Sequence, residues 1–167
     1  MENASSVIAV EIERKGAALS SGAGWFYWIA GLSLVNSFIN AVGGEWQFLI
    51  GLGVTQIVDA LAMGIAAGAA GDGALVIKAV AFGINLAIAL LAVVFGIFAN
   101  RRKAWAFITG LALFLLDGLI LLMVQDWLGV AFHIFAAFCI FRGYSAMRKL
   151  DELEIRAEQP TPAPITV

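Results

Sequence analysis

Long uncharged stretches separated by short polar breaks dominate the chain. A membrane-crossing helix needs about 20 apolar residues at 1.5 Å each, and on that ruler the breaks divide the chain into five spans. The first is 25–42, inside a run without charge from Gly16 to Gly44. It closes at Gly43-Gly44-Glu45-Trp46. The second, 47–70, carries one charge, Asp59, and ends at Gly71-Asp72-Gly73, where glycine permits positive φ and aspartate bonds its own backbone. The third, 75–99, stops at Arg101-Arg102-Lys103. The fourth, 104–124, holds Asp117, and the fifth, 127–147, holds His133. Only Gln125-Asp126 separates these last two, so they form a tight antiparallel hairpin. The fold class is all-α, a membrane bundle of five transmembrane helices.

The ends break this pattern. In residues 1–22, an extramembrane segment, Val7, Ile8, Val10 and Ile12 alternate with Glu11 and Glu13, which suits a short strand or an interfacial amphipathic helix equally. Residues 149–167 continue the last helix through Leu150, Leu153 and Ile155 and finish in a disordered tail containing Pro160, Pro162 and Pro164. Arg14-Lys15 ahead of an apolar run resembles a secretory leader, but the run exceeds the roughly 7–15 residues of a leader core.

Composition agrees with the pattern. Of 167 residues, 62% are hydrophobic and 13% charged, and mean hydropathy is +0.94, well beyond a soluble domain. Ten basic against twelve acidic residues leave a net charge of -2 and no surface suited to nucleic acid. Basic residues collect on the cytoplasmic side of membrane proteins. Five spans put Arg101, Arg102, Lys103, Arg142, Arg148, Lys149 and Arg156 on one side and Arg14, Lys15 and Lys78 on the other. This predicts a cytoplasmic C-terminus and an external N-terminus, with Trp25, Tyr27, Trp28 and Trp127 at the outer interface and Trp46, Trp105 and Tyr144 at the inner one.

Trp28-Ile29-Ala30-Gly31-Leu32-Ser33-Leu34 resembles Phe107-Ile108-Thr109-Gly110-Leu111-Ala112-Leu113, and each leads to an acidic residue followed by tryptophan. With one span between the pairs, helices one and two would repeat as four and five in inverted orientation, a transporter-like plan.

Ionisable and amide side chains inside the spans are the candidate chemistry: Asn36, Gln56, Asp59, Lys78, Asn85, Asp117 and His133. At 1.5 Å per residue from the outer face, Lys78 lies roughly 5 Å deep, His133 roughly 9 Å, Asp117 roughly 12 Å and Asn85 roughly 15 Å, with Asp59 and Asn36 near the midplane. Asp117 and His133 match in depth on neighbouring helices, which predicts a carboxylate–imidazole hydrogen bond. Asp59 has no basic residue at its depth. An aspartate at a helix centre costs about 2.5–3.5 kcal/mol on insertion scales, so both should face protein or water. Ser33, Asn36, Ser37 and Asn40 form one stripe and Thr55, Gln56 and Asp59 another, which predicts a polar seam. Ala60, Gly64 and Gly68, and Ala79, Gly83 and Ala87, supply small-residue faces for close helix approach.

Catalytic patterns are incomplete. Gly31-Leu32-Ser33-Leu34-Val35 lacks the second glycine of an intramembrane serine-protease motif, and Gly68-Ala69-Ala70-Gly71-Asp72 lacks the Gly-x-Gly-Asp of an aspartyl protease. One histidine provides neither bis-histidine haem ligation nor a zinc cluster, and Cys139 sits among Phe138, Ile140 and Phe141 as packing. No enzyme activity, cofactor or metal is expected. The segments Trp25 to Ser37, Leu116-Asp117-Gly118-Leu119, Gln125-Asp126-Trp127-Leu128-Gly129 to His133, and Phe141-Arg142-Gly143 resemble small uncharacterised bacterial polytopic membrane proteins, over about residues 17–150. That resemblance implies a bacterial inner membrane and no particular activity. The expected function is a non-enzymatic membrane protein, partnered by the lipid bilayer and by itself or other membrane subunits. The alternative is a small proton- or cation-handling transporter or channel using Asp59, Asp117 and His133.

Overall fold

The computed structural model describes residues 2–42 and 51–158, with side chains from residue 6. The turn at Gly43-Gly44-Glu45-Trp46, the start of the second predicted span and the proline tail lie outside the described residues. Within them the chain is all-helical: α1 (Glu2–Ala41), α2 (Gly53–Ala67), α3 (Gly73–Asn100), α4 (Ala104–Met123) and α5 (Trp127–Glu158). Four of these, α1, α3, α4 and α5, are long and apolar enough to cross a membrane. Their outward faces are apolar, as at Leu75, Trp127 and Phe138. Lipid tails are as apolar as leucine, so packing and buried hydrogen bonds hold such helices together.

Tertiary contacts fix the helix directions. Ser37 meets Asn85 while Tyr27 meets Gly96 and Asn100, so α1 and α3 are antiparallel. Gly22 packs on Gly143 and the Trp25 ring on Phe135, so α1 and α5 are antiparallel too. Phe107 meets Tyr144 and Asp117 meets His133, so α4 also opposes α5. It follows that α1 and α4 run the same way. The inverted repeat of helices one and two in four and five therefore has no counterpart, since inverted copies would run oppositely.

Two expectations about the ends change with this arrangement. Residues 7–12 are helical, as part of one 40-residue α1, and no strand forms there. The amino-terminal half of α1 extends past the end of α3 and packs along the carboxy-terminal half of α5, where Ile12 and Leu19 join Met147 and Leu150 in the core. Glu2 and Glu158 thus lie at the same end of the bundle, not at opposite ends. Tyr27 shares that end with Asn100 and Trp105 instead of marking the far interface. Exposed Arg102 bonds Glu154 at 2.7 Å there, tying the α3–α4 turn to α5, and this contact raises the Arg102 guanidinium further above its already high value. Nine of the ten basic residues, all but Lys78, gather at this basic end.

The reason is α2. At 15 residues it is about 22 Å long, short of a roughly 30 Å hydrocarbon layer. Its start lies beside Ser33 and Asn36 of α1 and Asp117 of α4, and its later residues, Asp59 and Met63, meet Asn40 and Ala41. α2 therefore runs parallel to α1 and α4, beginning inside the bundle. Ala41 lies eight residues beyond Ser33, about 12 Å further along α1, so Gly51 and Leu52, beside Ser33, stand well inside the level where α1 ends. A half-length helix where a full crossing at 47–70 was expected leaves four long helices, and an even number returns both ends to one side.

Candidate functional site

The buried start of α2 poses a hydrogen-bonding problem. The first N–H groups of a helix have no intrahelical partner, and the residue in the capping position, Leu52, has no side-chain acceptor. Other helices supply one. The Leu52 N–H donates to Ser33 Oγ at 3.0 Å. The Gly53 and Val54 N–H groups donate to Asp117 Oδ2 and Oδ1 at 2.7 and 2.8 Å. A carboxylate at a helix N-terminus also meets the positive end of the macrodipole. Gly53 permits the approach, because a Cβ there would stand 3.0 Å from Leu121 and 3.2 Å from the Asp117 carbonyl.

His133 completes this centre. Its Nε2 lies 2.9 Å from Asp117 Oδ2 and its Nδ1 lies 2.9 Å from the Gly129 carbonyl. A carbonyl only accepts, so Nδ1–H donates and the Nε2···Oδ2 contact holds one proton between the two side chains. Phe114 stacks on the imidazole at 4.2 Å between centroids, 13° from parallel, and Gly118 leaves room for the ring against α4. Asp117 and His133 are 6% and 2% exposed. This centre is hydrogen-bonded on every side and joins α2, α4 and α5.

A second centre lies further along α2. Asp59 Oδ2 accepts from Ser37 Oγ and Asn40 Nδ2, both at 3.1 Å. Its Oδ1 accepts from Asn85 Nδ2 at 2.7 Å. Asn85 Nδ2 also reaches Ser37 Oγ at 2.7 Å and the Thr55 carbonyl at 3.5 Å, while the Thr55 hydroxyl turns back to the Leu52 carbonyl. These donors are neutral; among the described residues no ion pair reaches Asp59. Lys78, one helical face with Asn85, borders a small void with Ser37, Asn40 and Asp59 without pairing with the carboxylate.

Two larger cavities flank these centres. One, about 500 Å³, lies between α1, α2 and α4, with Asn36, Asn40, Gln56 and Asp59 in its wall. The other, about 350 Å³, lies between α1, α3 and α4 and is lined by apolar groups such as Phe26, Ile88 and Phe95, with Asp117 at its edge. The predicted residues thus divide. Asp117 and His133 form one centre; Asp59 and Asn85 form the other; Asn36 and Gln56 share the polar cavity with Asp59, and Lys78 stands beside it.

Sequence reasoning did not identify Ser33 and Asp117 as caps of a buried helix start. The available signal was Gly51-Leu52-Gly53, where two glycines flank a residue unable to cap. It also missed a close helix contact, Gly22 on Gly143, where a Cβ on Gly143 would stand 2.7 Å from Gly22 Cα. The small residues that were singled out, Gly64 and Gly83, have open space around them and face outward. Among the described residues no three His, Cys, Asp or Glu side chains group as a metal site.

The fold and its two centres define a helical membrane protein with a half-length helix that begins inside its bundle. No family model, curated protein or solved structure matches the chain.

Proposed function

We propose that this protein is a small transporter or channel for protons or small cations, with Asp59 as the ion-handling group. The observation that carries this reading is the start of α2 inside the bundle, which opens a cavity of about 500 Å³ lined by Asp59, Asn36, Asn40 and Gln56. Interrupted helices within membranes build ion and substrate sites in transporters, because their free ends and exposed backbone supply polar groups that a continuous helix conceals. The Asp117–His133 centre holds α2 in that position. Proteoliposome flux tests the reading: Asp59→Asn abolishes proton or cation flux, and wild-type vesicles without flux above empty vesicles would contradict it.

The basic end faces the cytoplasm, since nine of ten Lys and Arg residues lie there; the bacterial inner membrane is the location suggested by the sequence resemblance. Reporters fused before Glu2, after Lys103 and after Val167 then read cytoplasmic, and one after Asp72 external. A second reading, a homo-oligomer or accessory subunit of a larger membrane complex, is favoured by the outward-facing small residues Ala60, Gly64, Ala79 and Gly83. Native mass spectrometry from mild detergent separates them: a strictly monomeric protein without partners counts against the subunit reading.

A further inference from the structure

Asn85 is 1% exposed and its amide nitrogen serves three acceptors, yet its Oδ1 is buried without a hydrogen-bond partner. A buried acceptor left unmatched is costly. The nitrogen of the same amide stands 2.7 Å from the Asp59 carboxylate, with other oxygens around it. Ser37 Oγ, the Thr55 carbonyl and Asp59 Oδ1 all surround the Asn85 amide nitrogen within 3.5 Å, and Asp59 Oδ2 lies 3.1 Å from the same Ser37 hydroxyl. Turning that amide by half a rotation about its last bond directs Oδ1 to the place its nitrogen occupies. Asp59, Ser37, Thr55 and Asn85 would then present oxygens to a common centre.

We infer that this centre binds a monovalent, sodium-like cation, with the Asp59 carboxylate, Ser37 Oγ, the Thr55 carbonyl and Asn85 Oδ1 as its ligands. The inference rests on Asp59 being the ion-handling group and specifies which ion it takes. The ligand set is all oxygen, which selects a hard cation over zinc, copper or iron. Its single carboxylate balances one positive charge, whereas calcium takes 6–8 oxygens, commonly from several carboxylates, and magnesium retains waters. A proton would use one oxygen of Asp59 and one acceptor; the two further oxygens of Ser37 and Thr55 give a cation the neutral ligands it needs on leaving water. The adjoining polar cavity gives access to Asp59 from the side of Asn40 and Gln56.

The test is binding of ²²Na⁺ to the full-length protein in mild detergent, with choline chloride holding ionic strength constant. Saturable binding is expected in the wild type and in Glu154→Gln, with a loss of about tenfold or more in affinity in Asp59→Asn and Asn85→Ala. Ser37→Ala, which removes one neutral ligand and keeps the carboxylate, weakens binding by a smaller factor. Melting temperature serves as the folding check: Na⁺ raises it in the wild type relative to choline and does not in Asp59→Asn. No saturable binding in folded wild-type protein overturns the inference, as does binding that survives Asp59→Asn. Proton flux without Na⁺ binding would overturn this site and leave the transport reading standing. Na⁺ binding without any flux would do the reverse.

Discussion

The two buried aspartates of this bundle solve different problems with the same side chain. Asp117 faces two backbone N–H groups of α2 and the imidazole of His133; it meets a helix terminus and a group able to carry positive charge. Asp59 faces a hydroxyl and two side-chain amides from α1 and α3; all its partners are neutral, and it borders a polar cavity. Burial alone does not tell them apart, at 6% and 7% exposure. What separates them is whether the partners can move. Backbone N–H groups at a helix start are fixed by the helix, so Asp117 is a structural clamp. Hydroxyl and amide groups rotate about side-chain bonds, so the surroundings of Asp59 can rearrange around an ion.

The largest effect therefore belongs to Asp117→Ala. Removing the clamp leaves two backbone donors without an acceptor and His133 without its partner inside the bundle, and each buried polar group left unmatched costs about 1–3 kcal/mol. A thermal or denaturant unfolding series in detergent checks this. Asp59→Asn in the same series stays within about 1 kcal/mol of wild type, because an amide oxygen still accepts from Ser37 or Asn85. Equal losses at the two positions would break the comparison.

Ser33→Ala sharpens it from the α1 side. The Leu52 N–H then lacks its acceptor, and stability falls by about 1–3 kcal/mol, without the change in ion flux expected of Asp59→Asn. Ser33 and Ser37 lie one turn apart on the same helix, so this pair separates clamp from ion site with matched chemistry. At the small end, Glu154→Gln removes an exposed contact to Arg102 and shifts stability by no more than about 1 kcal/mol; a larger loss would mean that the basic end contributes more to the fold than the α2 clamp allows.

The same contrast explains what could be read from the sequence. The α4–α5 hairpin was legible because only Gln125 and Asp126 lie between two apolar runs, and nearly equal counts outward from that turn put Asp117 and His133 at similar depth. Asp126 also caps α5 by accepting the Gly129 N–H at 2.9 Å. The polar stripes of α1 and α2 were legible from helical spacing, and Ser37, Asn40 and Asp59 do meet across them. The direction of α2 was not legible. Hydropathy measures whether a segment prefers lipid and is blind to which way it runs, so an apolar stretch containing a half-length helix reads as a full crossing. That one error put Glu2 and Glu158 at opposite ends of the bundle and suggested an inverted repeat. The distribution of basic residues held a correcting signal, since placing Arg14 and Lys15 beside Arg148 and Lys149 leaves Lys78 as the lone exception. Helix rotation was also beyond the sequence: small residues at a spacing of four, Ala60, Gly64 and Gly68 and then Ala79, Gly83 and Ala87, looked like packing faces, whereas Gly22 and Gly143 make a close contact.

The buried start of α2 is held by Asp117 and not by Asp59. Amide hydrogen exchange at Gly53 and Val54, followed by NMR in micelles or bicelles, tests it most directly. Exchange is slow at both amides in the wild type and in Asp59→Asn, and faster by about 100-fold in Asp117→Ala, equivalent to about 2.7 kcal/mol of lost protection. Equal protection of Gly53 and Val54 in all three proteins, with the rest of the bundle folded, would contradict it.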